Sequence, residues 1–243
     1  MGTSNGAAAR YGYLHYSFDL WMTLIRSNPQ YKYERARVIR DRYNPAGRTL
    51  EEVMAVFRQV DLLANTINER TGRQLQAEEL YLWVIGLTAG DTTGAAAIDG
   101  VDPVALYDEM EEVALAFPPL IYEPATLPTL ERLKGADVTF SLLSNTAFIK
   151  GRTLRKMFKG LGLEGVFVFE LFSDEAGLSK PNGAFFQLML DRVAIERGPT
   201  PLEMIVHVGD NPVADEAGAQ KKGIPAILIN DNRQGIEHLL RLT

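Results

Sequence analysis

The sequence predicts an α/β protein, a doubly wound parallel sheet with an inserted α-helical subdomain, and three observations predict it. From about residue 119 onward, short apolar runs alternate with amphipathic stretches, the pattern of a parallel sheet with helices on both faces. A further apolar run, YLHYSFDL (Tyr13 to Leu20), stands apart near the start. A lone strand would leave its backbone groups unpaired, so this run belongs to the same sheet. Between the two, from about Gln30 to Phe117, the periodicity is helical and no clear strand interrupts it. The expected core is therefore discontinuous, residues 10–29 and 119–243, with a helical subdomain over 30–118 and a flexible tail over 1–9.

Each element has its own signal. The first strand ends in an acid, Asp19, at its C-terminal edge, where a functional loop should follow. After Tyr31 an Arg-rich stretch turns helical, and Thr49 with Glu52 forms a T-x-x-E capping box. The helix it starts carries Val53, Met54, Val56, Phe57, Val60, Leu63 and Ile67 at roughly helical spacing. A third helix is expected over Ala77 to Leu87. Asp102 and Pro103, an N-cap followed by proline at the first helical position, announce a fourth that runs through Met110, Val113 and Leu115. After the linker PPLIYEPA comes a helix to Leu133, strand VTFSLLS, a basic helix from Lys150 to Leu161 and strand VFVFELFS. A helix from Ala184 to Val193, strand MIVHVGD, a helix over Ala214 to Lys222, strand AILIN and a final helix complete the alternation.

Composition narrows the class. A chain of 243 residues can bury a full core without a staple. The absence of cysteine excludes disulfides and thiolate metal sites and fits a reducing compartment, so a cytoplasmic protein is expected. The opening MGTSNGAAAR has no apolar signal region, and no stretch approaches the ~20 apolar residues of a membrane span. A formal charge of −6 with both signs interspersed lacks the clustered basic face of a nucleic-acid binder. The expected partner is a small molecule, neither nucleic acid nor membrane.

Ligands of open parallel sheets bind beyond the carboxyl ends of the strands. The polar residues placed there are Asp19, then Ser144 and Asn145, then Ser173 and Asp174, then Asp210 and Asn211, with Lys180 in the segment GLSKPN. A nucleophilic carboxylate, a hydroxyl, an amine and a second carboxylate would converge at one edge.

The segments FDLWMTL, LLSNT, SDEAGLSKPN and HVGDNPVAD, in that order, resemble the four motifs of the haloacid dehalogenase superfamily. They are similar to its D-x-D-x-T loop, its apolar strand ending in Ser or Thr, its Lys-Pro segment and its G-D-x-x-x-x-D loop. The resemblance implies a Rossmann-like core, a helical cap over the site, and magnesium-dependent hydrolysis of a small phosphorylated substrate. It makes Asp19 the nucleophile. Ser144 and Asn145 would bind the phosphoryl group, and Lys180 would offset its charge. Magnesium would be held by Asp19, Asp210 and the backbone carbonyl of Trp21. Asp215 would hydrogen-bond Lys180 or a metal-bound water, and Thr23 would brace the first loop.

Trp21 departs from the pattern. Phosphatases of the superfamily resemble one another in keeping a second Asp there, which protonates the leaving oxygen and later activates water. An indole N–H does neither, and such groups contribute about 10²- to 10⁴-fold. A substrate with a good leaving group, such as an acyl phosphate, is therefore expected. Two other readings stay open. An aromatic residue at this place is similar to the two-haloacid dehalogenases, which need no metal, although Asp210 keeps the magnesium-binding character. The alternative is a catalytically weak protein that binds a phosphorylated ligand.

Other residues have plainer readings. His15 and His207 lie within expected strands as packed or hydrogen-bonded core residues, and His238 is expected at the surface. Met54 and Met110 are core candidates. Trp21 either closes the loop by packing or touches substrate. Arg26 is open between a substrate contact and a surface position, and nothing in the sequence chooses among Arg35, Arg37 and Tyr81 as cap residues lining the site.

Overall fold

The protein is described by a computed structural model covering residues 12–90, 94–135, 137–230 and 234–242. The tail expected over 1–9 lies outside the described residues. Its strands are β1 (His15–Phe18), β2 (Ile25–Arg26), β3 (Leu120–Ile121), β4 (Thr139–Ser144), β5 (Phe169–Phe172), β6 (Ile205–Gly209) and β7 (Ala226–Leu228). Its helices are α1 (Pro29–Arg42), α2 (Leu50–Thr71), α3 (Ala77–Ala89), α4 (Gly94–Ile98), α5 (Pro103–Ala116), α6 (Thr126–Leu133), α7 (Gly151–Leu161), α8 (Ser173–Ala176), α9 (Gly183–Arg197) and α10 (Gly218–Gln220).

Five strands form one parallel sheet in the order β5-β4-β1-β6-β7. Strand alternation builds a core on each face. Tyr16, Phe18, Phe140, Leu142, Val206 and Val208 point to one side, against α6, α7 and a 3₁₀ segment at Ile236–Arg241. Leu143, Phe169 and Ile205 point to the other, against Phe185, Phe186 and Met189 of α9. A polar row, buried except at Thr139, shares that second face. His15 hydrogen-bonds Thr139 and Ser141 at 2.8 and 2.9 Å, and His207 meets Ser17 at 3.1 Å. These partners satisfy groups that burial would otherwise penalise.

Helices α1 to α5 enter and leave through β2 and β3, which pair antiparallel as Ile25 with Ile121 and Arg26 with Leu120. Two residues per strand are too few for a period-2 pattern, so the sequence does not foretell this root. The helical block has its own apolar cluster, with Val53, Phe57 and Val60 of α2, Leu80, Tyr81 and Val84 of α3, and Leu106, Tyr107 and Met110 of α5. Phe148, from the loop after β4, inserts into it. The Thr49–Glu52 capping box forms, and the Asp102 carboxylate accepts from the amides of Val104 and Ala105.

Two expected helices differ. Over 214–222 the chain makes a π-turn at Pro212–Ala217 before α10. Its entry is fixed by Asn211, whose side chain accepts from the amides of Val213 and Ala214. The final helix is the 3₁₀ segment, entered from Gly235 without a side-chain cap. No described helix is long and apolar enough to cross a membrane.

Candidate active site

Asp19 follows β1 directly, at the carboxyl edge between β4 and β6, and its amide donates to Val208 O at 2.8 Å. The loop beyond it is tight. Leu20 O accepts from Leu24 and Ile25 at 2.9 and 3.0 Å, and Met22 takes a left-handed φ of 60°. Asn230 Nδ2 donates to Met22 O at 2.7 Å, which holds this strained residue in place. Thr23 Oγ1 donates to Asp19 Oδ2 at 3.2 Å.

Lys180 is 1% exposed, and its ammonium is clamped between Asp19 Oδ1 at 2.7 Å and Asp215 Oδ1 at 2.6 Å. Its backbone is pinned by the Asn145 carboxamide, which accepts from Lys180 N at 2.7 Å and donates to Lys180 O at 3.0 Å. Asp215 is held from two further sides. His207 Nε2 lies 3.0 Å from its Oδ1, and the Asn211 amide donates to its Oδ2 at 3.0 Å. Gly209 lets this happen, because a Cβ there would stand 2.2 Å from Asp215 Cγ.

Charge in this pocket is unevenly satisfied. Burial would raise the pKa of Asp215, but Lys180 and His207 hold it well below the usual carboxylate range. Burial would lower that of Lys180, yet Asp19 and Asp215 together raise it, so the ammonium stays charged. Burial pushes the His207 pKa down; its Nε2 lies 3.0 Å from Asp215 Oδ1 and its Nδ1 3.1 Å from the Ser17 hydroxyl. Burial, reinforced by Asp215 and opposed by Lys180, raises Asp19 to about 6. Burial together with Asp19 and Asp215 raises Asp210 to about 7. One lysine therefore faces three carboxylates whose oxygens lie within 4.8 Å of one another, an excess of negative charge that suits a divalent cation. Asp215 is the most heavily engaged of the three, with Lys180 and His207 on Oδ1 and the Asn211 amide on Oδ2, whereas Asp210 is half-buried at the cavity wall, so Asp19 and Asp210 are the pair that fits such an ion.

These groups open on a cavity of about 420 Å³. Asp19, Trp21, Lys180, Asp210 and Asp215 line it from the sheet edge, and Arg35, Met54, Phe57 and Asp61 from the helical block. Trp21 both lines the cavity and packs against the core cluster.

Two expected phosphoryl ligands are placed differently. Ser144 is fully buried outside the lining, its hydroxyl 3.3 Å from Asn145 O, because it is the last residue of a strand covered on both faces. Asn145 lines the cavity, but its carboxamide is taken up by Lys180, and Thr146 joins it there. Ser173 and Asp174 are structural: Ser173 Oγ accepts from Thr146 N at 2.7 Å, and Asp174 accepts from Thr146 Oγ1 and from Gly151 N at the start of α7. Arg26 is exposed on β2, Arg37 pairs with Glu34 at 2.7 Å on the surface, and Tyr81 is buried against Tyr31 and Phe148 O. Of the three cap candidates, Arg35 alone lines the cavity. Sequence reasoning left out His207, although its polar character among Val206 and Val208 was a signal that the opposite face carries a specific partner.

Known proteins bear on this geometry. The family model described as haloacid dehalogenase-like hydrolase matches residues 15–223. Haloacid dehalogenase-like hydrolase domain-containing protein 3 of Mus musculus is 30% identical over 120 residues, 45% of this chain and 44% of that protein. The chain thus spans less than half the length of the curated relatives it matches. Among solved structures, the HAD-hydrolase YfnB of Bacillus subtilis, bound to magnesium, is similar with a TM-score of 0.67 at 15% identity, covering 94% of this chain and 99% of that one. A 2-haloacid dehalogenase of Pseudomonas syringae pv. Tomato has a TM-score of 0.59 at 24% identity, covering 91% and 88%. A HAD phosphatase of Thermococcus onnurineus has a TM-score of 0.58 at 19% identity, covering 90% and 87%. At these identities the likenesses concern the fold, which hosts both chemistries. The family match spans the sheet edge from before Asp19 to beyond Asp215, and this chain belongs to the haloacid dehalogenase-like hydrolases.

Proposed function

We propose that the protein is a magnesium-dependent phosphohydrolase that acts through Asp19 on a small phosphorylated metabolite with a good leaving group. The observation that carries this reading is the arrangement around Asp19: a buried carboxylate oriented by Thr23 and Lys180, with Asp210 beside it and in excess of the available positive charge. Helices α1 to α5, over 30–118, act as the cap, and residues 10–29 and 119–243 as the core.

Asp19 attacks phosphorus, forming an aspartyl–phosphate bond as the bond to the leaving oxygen breaks; water then releases inorganic phosphate and restores the carboxylate. Lys180 offsets the charge of the phosphoryl oxygens, and Asp215 with His207 holds Lys180 in place. Asp19, Asp210 and the Trp21 carbonyl would hold magnesium, which when bound supplies charge neutralisation at the phosphoryl group. Among the described residues the Ser144 hydroxyl makes only a long contact with Asn145 O, at 3.3 Å, and has no second partner. Trp21 offers no proton, so the leaving group departs as a stable anion.

Hydrolysis of an aryl phosphate, measured with and without magnesium, tests the reading. Metal-dependent turnover that Asp19→Asn lowers by at least about a thousandfold is expected. The indole of Trp21 beside Asp19 favours a second reading, dehalogenase chemistry, and halide release without metal would replace the first with it. Binding of a phosphorylated ligand without turnover would make the protein a binder instead.

A further inference from the structure

Arg35 is a buried cation without an acid. It projects from α1, is 8% exposed, and lines the same cavity as Asp19. Its guanidinium carbon stands 5.0, 4.3 and 4.6 Å from the ring centroids of Tyr31, Phe57 and Phe148. Among the described residues it makes no ion pair within 4.0 Å, and its Nε is buried with no hydrogen-bond partner. A guanidinium cannot escape this by losing a proton. Aromatic faces attract the cation but accept few of its N–H bonds, so a buried arginine so placed is short of an anion.

The cavity does not supply that anion. Asp61 is the acid of the helical block whose field Arg35 feels, yet among the described residues none of its oxygens comes within 4.0 Å of the guanidinium, and burial raises its pKa despite Arg35 and Lys32. Glu69 already accepts from Asn211 at 2.8 Å. Lys32 and Arg58 line the same cavity and add to the positive field of the cap wall. The core wall, around Asp19, is where a phosphoryl group goes on the reading above. The missing anion is then a second group on the same substrate, on the cap side. A single buried guanidinium balances one negative charge, and its plane between aromatic faces suits a planar one.

We propose that Arg35 is the specificity-determining residue of this cavity, binding a carboxylate of the substrate remote from its phosphoryl group, so that the substrates are phosphorylated carboxylic acids. The inference rests on the phosphohydrolase reading for its phosphoryl end alone.

The test compares 4-carboxyphenyl phosphate with its neutral isostere 4-carbamoylphenyl phosphate in the presence of magnesium. Binding of 4-hydroxybenzoate and 4-hydroxybenzamide is measured alongside by calorimetry. The native protein is expected to favour the carboxylate by about 10- to 100-fold in kcat/KM, expressed mainly in KM, and by at least about tenfold in binding. Arg35→Gln brings the paired compounds to within about threefold of each other, and Arg35→Lys, which keeps the charge without the fork, restores part of the preference. Hydrolysis of both esters with no carboxylate preference in either assay overturns the inference and leaves the phosphohydrolase reading standing. Carboxylate-selective binding without hydrolysis does the reverse. Stronger retention of inorganic phosphate than of 4-hydroxybenzoate by an Arg35-dependent site would also overturn it, in favour of a second phosphate.

Discussion

Lys180 has almost no solvent around it, and its charge is kept by two carboxylates at 2.7 and 2.6 Å. Breaking such a buried set is far more damaging than its net contribution suggests, since the surviving charges are left uncompensated. Trp21 poses the sharper question at this scale. If the missing acid limits the reaction, Trp21→Asp should raise turnover of an alkyl phosphate at least about tenfold relative to an aryl phosphate. A ratio unchanged by the substitution would mean that another group already protonates the leaving oxygen. Asp19 and Asp210 were legible because each directly follows an apolar run and so falls at the sheet edge, with Lys180 in the segment after a third run, whereas Asp215 was legible only through the resemblance of its motif. His207 and Arg35 were not. A histidine inside a strand signals that some partner exists and an arginine on a basic helix not even that, and neither names the distant groups it meets, Asp215 in one case and three aromatic rings in the other.

Among the elements, the turn after β6 couples backbone to chemistry most directly. Gly209 leaves the space that the Asp215 carboxylate fills, with Asp215 Cβ itself only 2.6 Å from where a Cβ would stand. Gly209→Ala should therefore displace Asp215, disturb Lys180 and destabilise the fold by about 3 kcal/mol, together with loss of hydrolysis. Denaturant titration checks it, and stability within about 0.5 kcal/mol of the native protein would be the contrary result. Helices with strong local signals were readable to within a few residues, as the Thr49 capping box and the Asp102–Pro103 start demonstrate. The β2–β3 root and the π-turn at Pro212–Ala217 were hidden because they arise from pairing and capping across space and leave no periodicity.

For the whole molecule, the two raised carboxyls tie stability to pH. Asp19 at about 6 and Asp210 at about 7 lie above the ~3.9 of an unfolded aspartate, so between these values the folded chain binds more protons than the unfolded one. Their contribution is full below about pH 4 and is lost as pH rises through 6 and 7. Asp215, lowered, works in the opposite sense and loses its contribution only on acidification below about pH 4. Magnesium binds the deprotonated pair and stabilises by mass action. The rise in Tm produced by magnesium should therefore grow between about pH 5 and pH 8, and a thermal scan with a flat increment across that range would refute the assignment of Asp19 and Asp210 as its ligands.

The place of β1 has a further consequence, for synthesis. His15 pairs with Thr139 and Ile205, and contacts across this strand span 124 and 190 residues of sequence. At ~5–20 residues per second the strand that becomes the centre of the sheet waits roughly 10 to 40 s for its last partner to emerge. Throughout that interval HYSF, buried in the finished protein, offers two unpaired edges to any passing strand, and a holding chaperone would find its earliest work there.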